Sequence, residues 1–154
     1  MRVQELMIKD VIMLHETDSI EVLIRTMVKH RIGGAPVVNE EGKLTGFISD
    51  GDVLRAISPK QQNIYDFYSM ISAVRIEMTS ELFKDLLEKK VKDLMKKRNI
   101  RSVLYSSELD AVLRTLSHEH IKKIPVIDDE RRVVGIISRS DVIRYIGEQA
   151  IGQE

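Results

Sequence analysis

The 154-residue chain contains no cysteine, which excludes disulfides, thiol chemistry and cysteine-ligated zinc. It also lacks an excess of either charge, because 24 Lys and Arg residues balance 24 Asp and Glu residues. No overall field would therefore hold the chain on nucleic acid or on anionic lipid. Residues 1–10 lack the apolar core of a secretory signal, and no run of about 18 apolar residues could span a membrane. These absences predict a soluble cytoplasmic protein.

Sequence patterns typical of catalysis are missing as well. There is no Walker-type loop, no Gly-x-Ser-x-Gly elbow and no Gly-x-Gly-x-x-Gly motif after a strand. His118 and His120 are two residues apart on a predicted helix, on nearly opposite sides of its axis, so they cannot bind one metal together. We therefore predict no catalytic residues, no metal site and no enzyme activity.

An internal duplication is the main positive feature of the sequence. When the chain is shifted by 89 residues, residues 10–57 align with residues 99–146, and 13 of the 48 pairs are identical. A shift of 88 residues aligns the preceding segments Val3–Met7 and Val91–Met95. Most of the other apolar residues also align with apolar residues. The chain therefore consists of two homologous copies.

Each copy predicts the same order of elements. A short lead segment is followed by an extended stretch, an amphipathic helix with apolar residues at i, i+3, i+4 and i+7, two β-branched strands and a closing helix. Capping boxes are predicted for the first helices at Asp18 with Glu21 and at Ser107 with Asp110, and the closing helices are predicted to begin at Asp52 and Asp141. The predicted strands are Ala35–Val38 with Leu44–Ile48, and Ile124–Ile127 with Val133–Ile137.

The predicted fold class is α/β (α+β), with two β-α-β-β-α units related by a pseudo-two-fold axis. One such unit would leave a sheet face bare, and a second copy can cover it. The predicted domains are a first repeat at 1–57, a helical insertion at 58–90 and a second repeat with its tail at 91–154. The insertion either packs on the pair or forms a surface for a partner. Its helical signals are Ile64, Phe67, Tyr68 and Ile71, and a cap at Thr79 or Ser80.

A Ser-x-x-Asp motif recurs where the second hairpin strand meets the closing helix, as Ser49 with Asp52 and Ser138 with Asp141. One interpretation is a capping box that needs no ligand. The other is a ligand site, because a helix N-terminus attracts phosphate and a carboxylate there can accept hydrogen bonds from ribose hydroxyls. Both roles can coexist in one residue.

Three motifs occur in the same order in both copies: Val-x-(Glu/Asp)-Leu-Met, Ile-x-x-x-Pro-Val-(Val/Ile) and Gly-x-Ile-Ser-x-x-Asp-Val. This series resembles the cystathionine β-synthase (CBS) repeat and covers residues 3–57 and 91–147. The resemblance implies a flat pair of repeats with two clefts between them. It also implies a regulatory ligand, AMP, ADP, ATP or S-adenosylmethionine, and regulation of a partner domain or protein.

The resemblance also implies the residues of the two clefts. In one cleft, Asp141 would bind the ribose, Ser138 the sugar or phosphate, Ile136 the adenine, and Lys122 and Lys123 the phosphate, with Ile12, Ile32 and Gly33 closing the cleft. In the other, the matching residues are Asp52, Ser49 and Phe47, with Asn99, Arg101 and Ile121 from the second copy. Arg139 would reach across towards the phosphate. Because copy two has lysines where copy one has Gly33 and Gly34, we expect the Asp141 cleft to bind better.

Two functions remain open from the sequence. The first is a nucleotide-binding regulatory module that signals through its conformation or its packing. The second is a dimerisation module with degenerate clefts that docks a partner protein. Phe47, which is bulkier than Ile136 at the matching position, favours this second function. The resemblance implies a homodimer in either case, formed through the closing helices at Val53–Ile57 and Val142–Ile146.

Overall fold

The computed structural model describes residues 1–57, 77–118 and 120–152. It contains two three-stranded sheets, one in each copy. In copy one the elements are α1 (Val3–Leu6), β1 (Leu14–His15), α2 (Ile20–His30), β2 (Gly34–Val38), β3 (Leu44–Ser49) and α3 (Asp50–Ile57). Helix α4 (Glu77–Glu88) follows. Copy two comprises α5 (Val91–Leu94), β4 (Val103–Leu104), α6 (Leu109–His118), β5 (Lys123–Ile127), β6 (Val133–Ser138) and α7 (Arg139–Ala150).

The two sheets have the same pairing and the same register. In each, the short first strand pairs in parallel with the second, and the second pairs antiparallel with the third. The register pairs Val37 with Gly46 in one sheet and Val126 with Gly135 in the other, so the shift of 89 residues holds for the strands as well as for the sequence. The predicted β-α-β-β-α units and the mixed α/β fold class are confirmed.

Each copy has its own apolar core. The first is built from buried residues of α2 and the hairpin, with Leu23, Val37 and Ile48 all 0% exposed. The second contains their counterparts Val112, Val126 and Ile137, also 0% exposed. Along β3, Leu44, Gly46 and Ile48 are buried while Thr45, Phe47 and Ser49 are half-buried. This alternation leaves Phe47 and Ser49 on the face away from their own core.

The lead segments exchange between the copies. Val3 is buried in the core of copy two, and Val91 is buried in the core of copy one. Paired backbone hydrogen bonds hold each lead segment there: Ile8 bonds to Ile136 at 2.9 and 3.0 Å, and Lys96 bonds to Phe47 at 2.9 and 3.0 Å. In sequence, each lead segment belongs to its own repeat. In the structure it packs in the core of the other repeat, and this exchange connects the two copies.

Glycine makes the exchange possible at two equivalent positions. A Cβ at Gly46 would lie 2.4 Å from Sδ of Met95, and a Cβ at Gly135 would lie 2.4 Å from Sδ of Met7. Any side chain at either position would collide with the crossing lead segment. The motif glycines therefore serve close backbone packing between copies, although neither has a positive φ.

Some predicted helix starts were wrong. Helix α2 is capped by Ser19, whose hydroxyl accepts from Val22 N–H, while the Asp18 carboxylate accepts from His15 N–H. Helix α6 begins at Leu109, so Ser107 lies one residue too early to cap it. The closing helices begin at Asp50 and Arg139, which places Asp52 and Asp141 in the first turn.

In the region between the copies, the structure describes only the second predicted helix. Thr79 and Ser80 lie within the described range of helix α4, Glu77–Glu88, rather than at its cap. The helix signals from Ile64 to Ile71 lie outside the described residues. Leu86 of α4 is buried in the core of copy one. Along the described part of the chain, no helix is both long and apolar enough to cross a lipid bilayer.

Candidate functional site

A cavity of about 510 Å³ lies between the two copies. Its volume falls within the range of small-molecule sites, about 300–1,000 Å³. Copy one contributes the start and end of its hairpin, and copy two contributes the loop before β4 and the residues that lead into β5. The lining residues are Gly33, Gly34, Phe47, Ser49 and Asp50 from copy one, and Lys96, Ile100, Arg101, His120, Ile121, Lys122, Lys123 and Pro125 from copy two.

The apolar wall of the cavity depends on Phe47 and Gly34. A Cβ at Gly34 would lie 3.0 Å from Cε1 of Phe47 and 3.2 Å from the carbonyl oxygen of Ile48. The aromatic ring therefore lies close to the bare backbone of β2, where a side chain would displace it. Because the ring lies beside the glycine, Phe47 lines the cavity without filling it.

The Ser-x-x-Asp motif forms hydrogen bonds within its own helix start in both copies. The Ser49 N–H and hydroxyl donate to Oδ2 of Asp52 at 2.9 and 3.2 Å, and the Arg55 guanidinium donates to Oδ1 at 2.6 Å. The Ser138 N–H and hydroxyl donate to Oδ2 of Asp141 at 2.9 and 2.8 Å.

The predicted capping box is complete in copy two, where the Ser138 hydroxyl also accepts from Asp141 N–H at 3.2 Å. In copy one the bond from Ser49 N–H to Asp52 supplies one half of the box. Asp141 is buried, with 6% of its surface exposed. A carboxylate has about four lone-pair sites, so the bonds within the motif leave acceptor capacity for a ligand. Capping alone does not exclude a ribose contact.

The rim of the cavity is cationic. Lys96, Arg101, Lys122 and Lys123 line it, whereas Asp50 supplies the only carboxylate among the lining residues. Arg139 lies next to this rim, because its Nε donates to the carbonyl oxygen of Ile121 at 2.9 Å. The site therefore combines an aromatic wall with a positively charged edge.

The structure brings together four of the residues predicted for the Asp52 cleft. Phe47, Ser49, Arg101 and Ile121 all line the cavity. Asp52 lies behind Ser49, to which it is hydrogen bonded. Asn99 is an exposed residue with a positive φ of 54° and is not among the lining residues. This part of the predicted grouping therefore agrees with the structure at the hairpin and at the facing loop.

The lysine pair differs from the predicted grouping. Lys122, Lys123 and Gly33, which the sequence analysis placed with Asp141, line the same cavity as Phe47 and Ser49. These residues lie where a helix passes into a strand, and the alignment of the copies cannot tell which cleft they face. The lysines therefore lie with Phe47 and Ser49, and they give no reason to expect stronger binding at the Asp141 cleft.

The equivalent surface on the other side follows from the pseudo-symmetry. Ile136 corresponds to Phe47, Ser138 to Ser49 and Ile12 to Arg101. Ile136 pairs with Ile8 from the exchanged lead segment, and Ile32 packs against the core of copy one. The second predicted cleft is thus more apolar than the first at these positions.

Sequence reasoning missed six residues that line the cavity: Gly34, Asp50, Lys96, Ile100, His120 and Pro125. Lys96 directly follows the lead segment Val91–Met95, and it reaches the cavity because this segment crosses to copy one. Gly34, Asp50, Ile100 and His120 each lie next to a residue that had been assigned to a cleft. A rule that included the immediate neighbours of every assigned residue would have found these four.

Comparison with known proteins identifies the fold and the family. The model of the CBS domain family matches residues 3–59 and 91–148. Protein MJ1426 of Methanocaldococcus jannaschii is 32% identical over 95% of this chain and 91% of its own length. L-aspartate semialdehyde sulfurtransferase of the same organism is 29% identical, but the chain spans only 23% of that enzyme.

Solved structures agree with this comparison. The CBS domain pair of protein MJ0100, in complex with 5-methylthioadenosine and S-adenosyl-L-methionine, is 26% identical and has a TM-score of 0.70. The match covers 97% of this chain and 98% of that one. CBSX2 from Arabidopsis thaliana has the same fold, with a TM-score of 0.75 at 20% identity over 99% of this chain and 98% of that one. The duplicated motifs, the two matching sheets and these comparisons together show that the chain belongs to the CBS domain family, as a tandem pair of CBS domains.

Proposed function

We propose that the chain is a regulatory module that binds an adenosine nucleotide in the cavity between its two CBS domains. The observation that carries this proposal is the open cavity of about 510 Å³, which has an aromatic wall from one copy and a cationic rim from the other. An adenosine nucleotide has a flat apolar base and an anionic phosphate, so its two ends match these two surfaces. Both ligands of the MJ0100 domain pair contain adenosine, which also supports the proposal.

In this proposal the adenine packs between Phe47 and Ile121. The ribose lies near Ser49 and Asp52, whose carboxylate retains acceptor capacity, and the phosphate lies near Lys122 and Lys123. Arg101 and Arg139 complete the cationic side. The second cleft offers Asp141, Ser138, Ile136 and Ile12 as its counterparts, and we propose that it binds more weakly because the lysines line the first.

Binding would act on the packing of the two copies. The lining residues belong to both copies, so a ligand stabilises the arrangement in which both walls reach it. That change can be transmitted to a partner protein or to a second copy of the chain. The module needs no catalytic group of its own for this role.

Thermal melting tests the proposal directly. AMP, ADP, ATP and S-adenosylmethionine are each added at millimolar concentration, since a ligand that binds only the folded state raises the midpoint. Phe47→Ala and Asp52→Ala should reduce the rise, whereas Asp141→Ala should affect it less. Inosine monophosphate serves as the control for the base. If no adenosine ligand shifts the melting midpoint, the proposal is wrong.

We also propose that the chain forms a homodimer through its closing helices. Leu54 of α3 is 65% exposed, and Ile143 and Ile146 of α7 are 68% and 48% exposed. Exposed large apolar residues on both closing helices support an interface there. Light scattering should give a dimer at tens of micromolar, and Ile143→Lys should give a monomer. A wild-type monomer at that concentration would contradict this proposal.

A further inference from the structure

We infer that the cavity selects nucleoside polyphosphates and discriminates against S-adenosylmethionine, with Lys96, Lys122 and Lys123 as the residues that set this specificity. The inference rests on the proposed function, since it concerns the same cavity. It goes further by choosing among adenosine ligands according to their charge.

The three lysines bring uncompensated charge to the cavity. Four lining residues are cationic at neutral pH and one, Asp50, is anionic. Among residues 1–57, 77–118 and 120–152, the ion pairs observed include none with Lys96, Lys122 or Lys123. Their ammonium groups therefore have no carboxylate to neutralise them in this part of the chain, and a polyanion can take that place.

The lysine backbones are fixed on two different elements. Lys96 exchanges two backbone hydrogen bonds with Phe47, so it lies beside the aromatic wall. Lys123 pairs with Ser138 at the start of β5, and the carbonyl oxygen of Lys122 accepts from Arg139 N–H at 3.0 Å. The charges thus come from two anchored segments rather than from one mobile loop. Such an arrangement suits a chain of phosphates better than a single one.

The fold itself does not require the lysine pair. The equivalent positions in copy one are Gly33 and Gly34, and the hairpin that follows has the same register. Lys122 is exposed and Lys123 is half-buried, so neither belongs to the core. The pair is therefore a local feature of this cavity, which makes a role in ligand selection the simplest explanation.

The candidate ligands differ in charge more than in shape. A terminal phosphate group carries about 1.5 to 2 negative charges at pH 7, and a longer phosphate chain carries more. S-adenosylmethionine has no phosphate, and its sulfonium gives it a net positive charge. A cationic rim attracts the phosphate-bearing nucleotides and repels S-adenosylmethionine, and salt screens both effects.

Calorimetric titration tests the inference, at low and at high salt and without divalent cations. The ligands are ATP, ADP, AMP, S-adenosylmethionine and uncharged 5-methylthioadenosine. The wild type should bind ATP at least about tenfold more tightly than AMP at low salt and S-adenosylmethionine most weakly, and high salt should narrow these differences. In Lys122→Met/Lys123→Met and in Lys96→Met, the preference for ATP over AMP should shrink several-fold while 5-methylthioadenosine binds as before. Lys29→Met, on the exposed last turn of α2, is the control and should bind like the wild type.

The outcomes separate the two proposals. Binding of 5-methylthioadenosine or AMP without any preference for ATP over S-adenosylmethionine would overturn the inference and leave the proposed function standing. Binding of none of the five compounds would overturn both. If the lysine variants fail to fold, the salt dependence of the wild-type preference decides: a preference for ATP that does not change with salt would refute the assigned role of charge.

Discussion

An engineered disulfide between residues 2 and 108 would test the exchange of the lead segments. The chain has no cysteine, so a variant with Arg2→Cys and Glu108→Cys contains a single possible pair. These residues face each other in an antiparallel bridge between the N-terminus and copy two. The flanking bonds, Val3 N–H to Ser107 at 2.8 Å and Leu109 N–H to Met1 at 3.0 Å, make it a non-hydrogen-bonded pair.

The geometry of the bridge and the length of the closed loop determine how much the disulfide should stabilise the fold. Cα atoms in such a pair are about 4.5 Å apart, within the range of about 4.4–6.8 Å that disulfides span. A closed loop of about 100 residues gives a stabilisation of up to about 4.7 kcal/mol, and engineered disulfides often give less. The substitutions remove one exposed ion pair between Glu108 and the N-terminus at 3.6 Å, which is worth about 0–1 kcal/mol. A net gain of about 4 kcal/mol corresponds to an upper bound of roughly 8–16 °C in melting midpoint.

The assay combines thiol titration, peptide mapping by mass spectrometry and thermal melting with and without dithiothreitol. The matched control carries Arg2→Cys with Ser19→Cys, because Ser19 is the position in copy one that corresponds to Glu108. If the lead segment exchanges, the pair at 2 and 108 oxidises within one chain and the control pair stays reduced. Oxidation of the control pair, with the pair at 2 and 108 remaining free thiols, would refute the exchange.

Further predictions concern the packing of the copies, the site and the acid sensitivity of one hairpin. Gly46→Ala and Gly135→Ala should each lower the stability by about 1–3 kcal/mol in urea unfolding. Adding Met7→Ala should restore much of the stability that Gly135→Ala loses. Met95→Ala should restore less of the loss in Gly46→Ala, because a Cβ at Gly46 would also lie 2.9 Å from the carbonyl oxygen of Lys96. Equal recovery of stability in the two double variants would contradict this. Gly34→Ala should weaken nucleotide binding about as much as Phe47→Ala, because it displaces the ring; titration showing wild-type affinity would refute the assigned wall. Burial opposes ionisation of Asp128, but hydrogen bonds from the backbone and guanidinium of Arg132 and from Glu130 N–H keep its pKa below the usual value. The ionised Asp128 therefore stabilises the fold above the unfolded-state pKa, and this stabilisation is lost as the pH falls through the lower folded-state pKa. Asn39 occupies the equivalent position in the other hairpin, so Asp128→Asn copies it. In melting experiments across pH, this variant should lose that part of the acid sensitivity.

The fold of each copy could be predicted because local patterns determine it. The short strand from Leu44 to Ile48, which follows a turn at 39–42, and the helical spacing from Ile20 to Met27 each fit one secondary structure. The helix starts were less certain, because Asp18 and Ser19 are both good capping residues and only the structure decides between them. The family could be identified because three weak motifs occur twice in the same order.

The relation between the copies could not be predicted from the sequence. Val3 and Val91 occupy equivalent positions, and the apolar cores that receive them are also equivalent, so local hydrophobicity does not determine which core each one enters. The cavity depends on this relation, since Lys96 reaches Phe47 only through the exchange. The alignment therefore found most of the hairpin residues of the site but not the facing lysine, and it grouped Lys122 and Lys123 with Asp141.

The crossing of the lead segments also constrains how the chain can be divided. A fragment ending before Val91 would have a hydrophobic core with no cover and an N-terminal arm with no place to dock. Two identical fragments could resolve both problems by donating their arms to each other, as in a domain-swapped pair with two-fold symmetry. In these terms the tandem protein is such a pair joined into one polypeptide, and the smallest unit expected to fold is the whole of it.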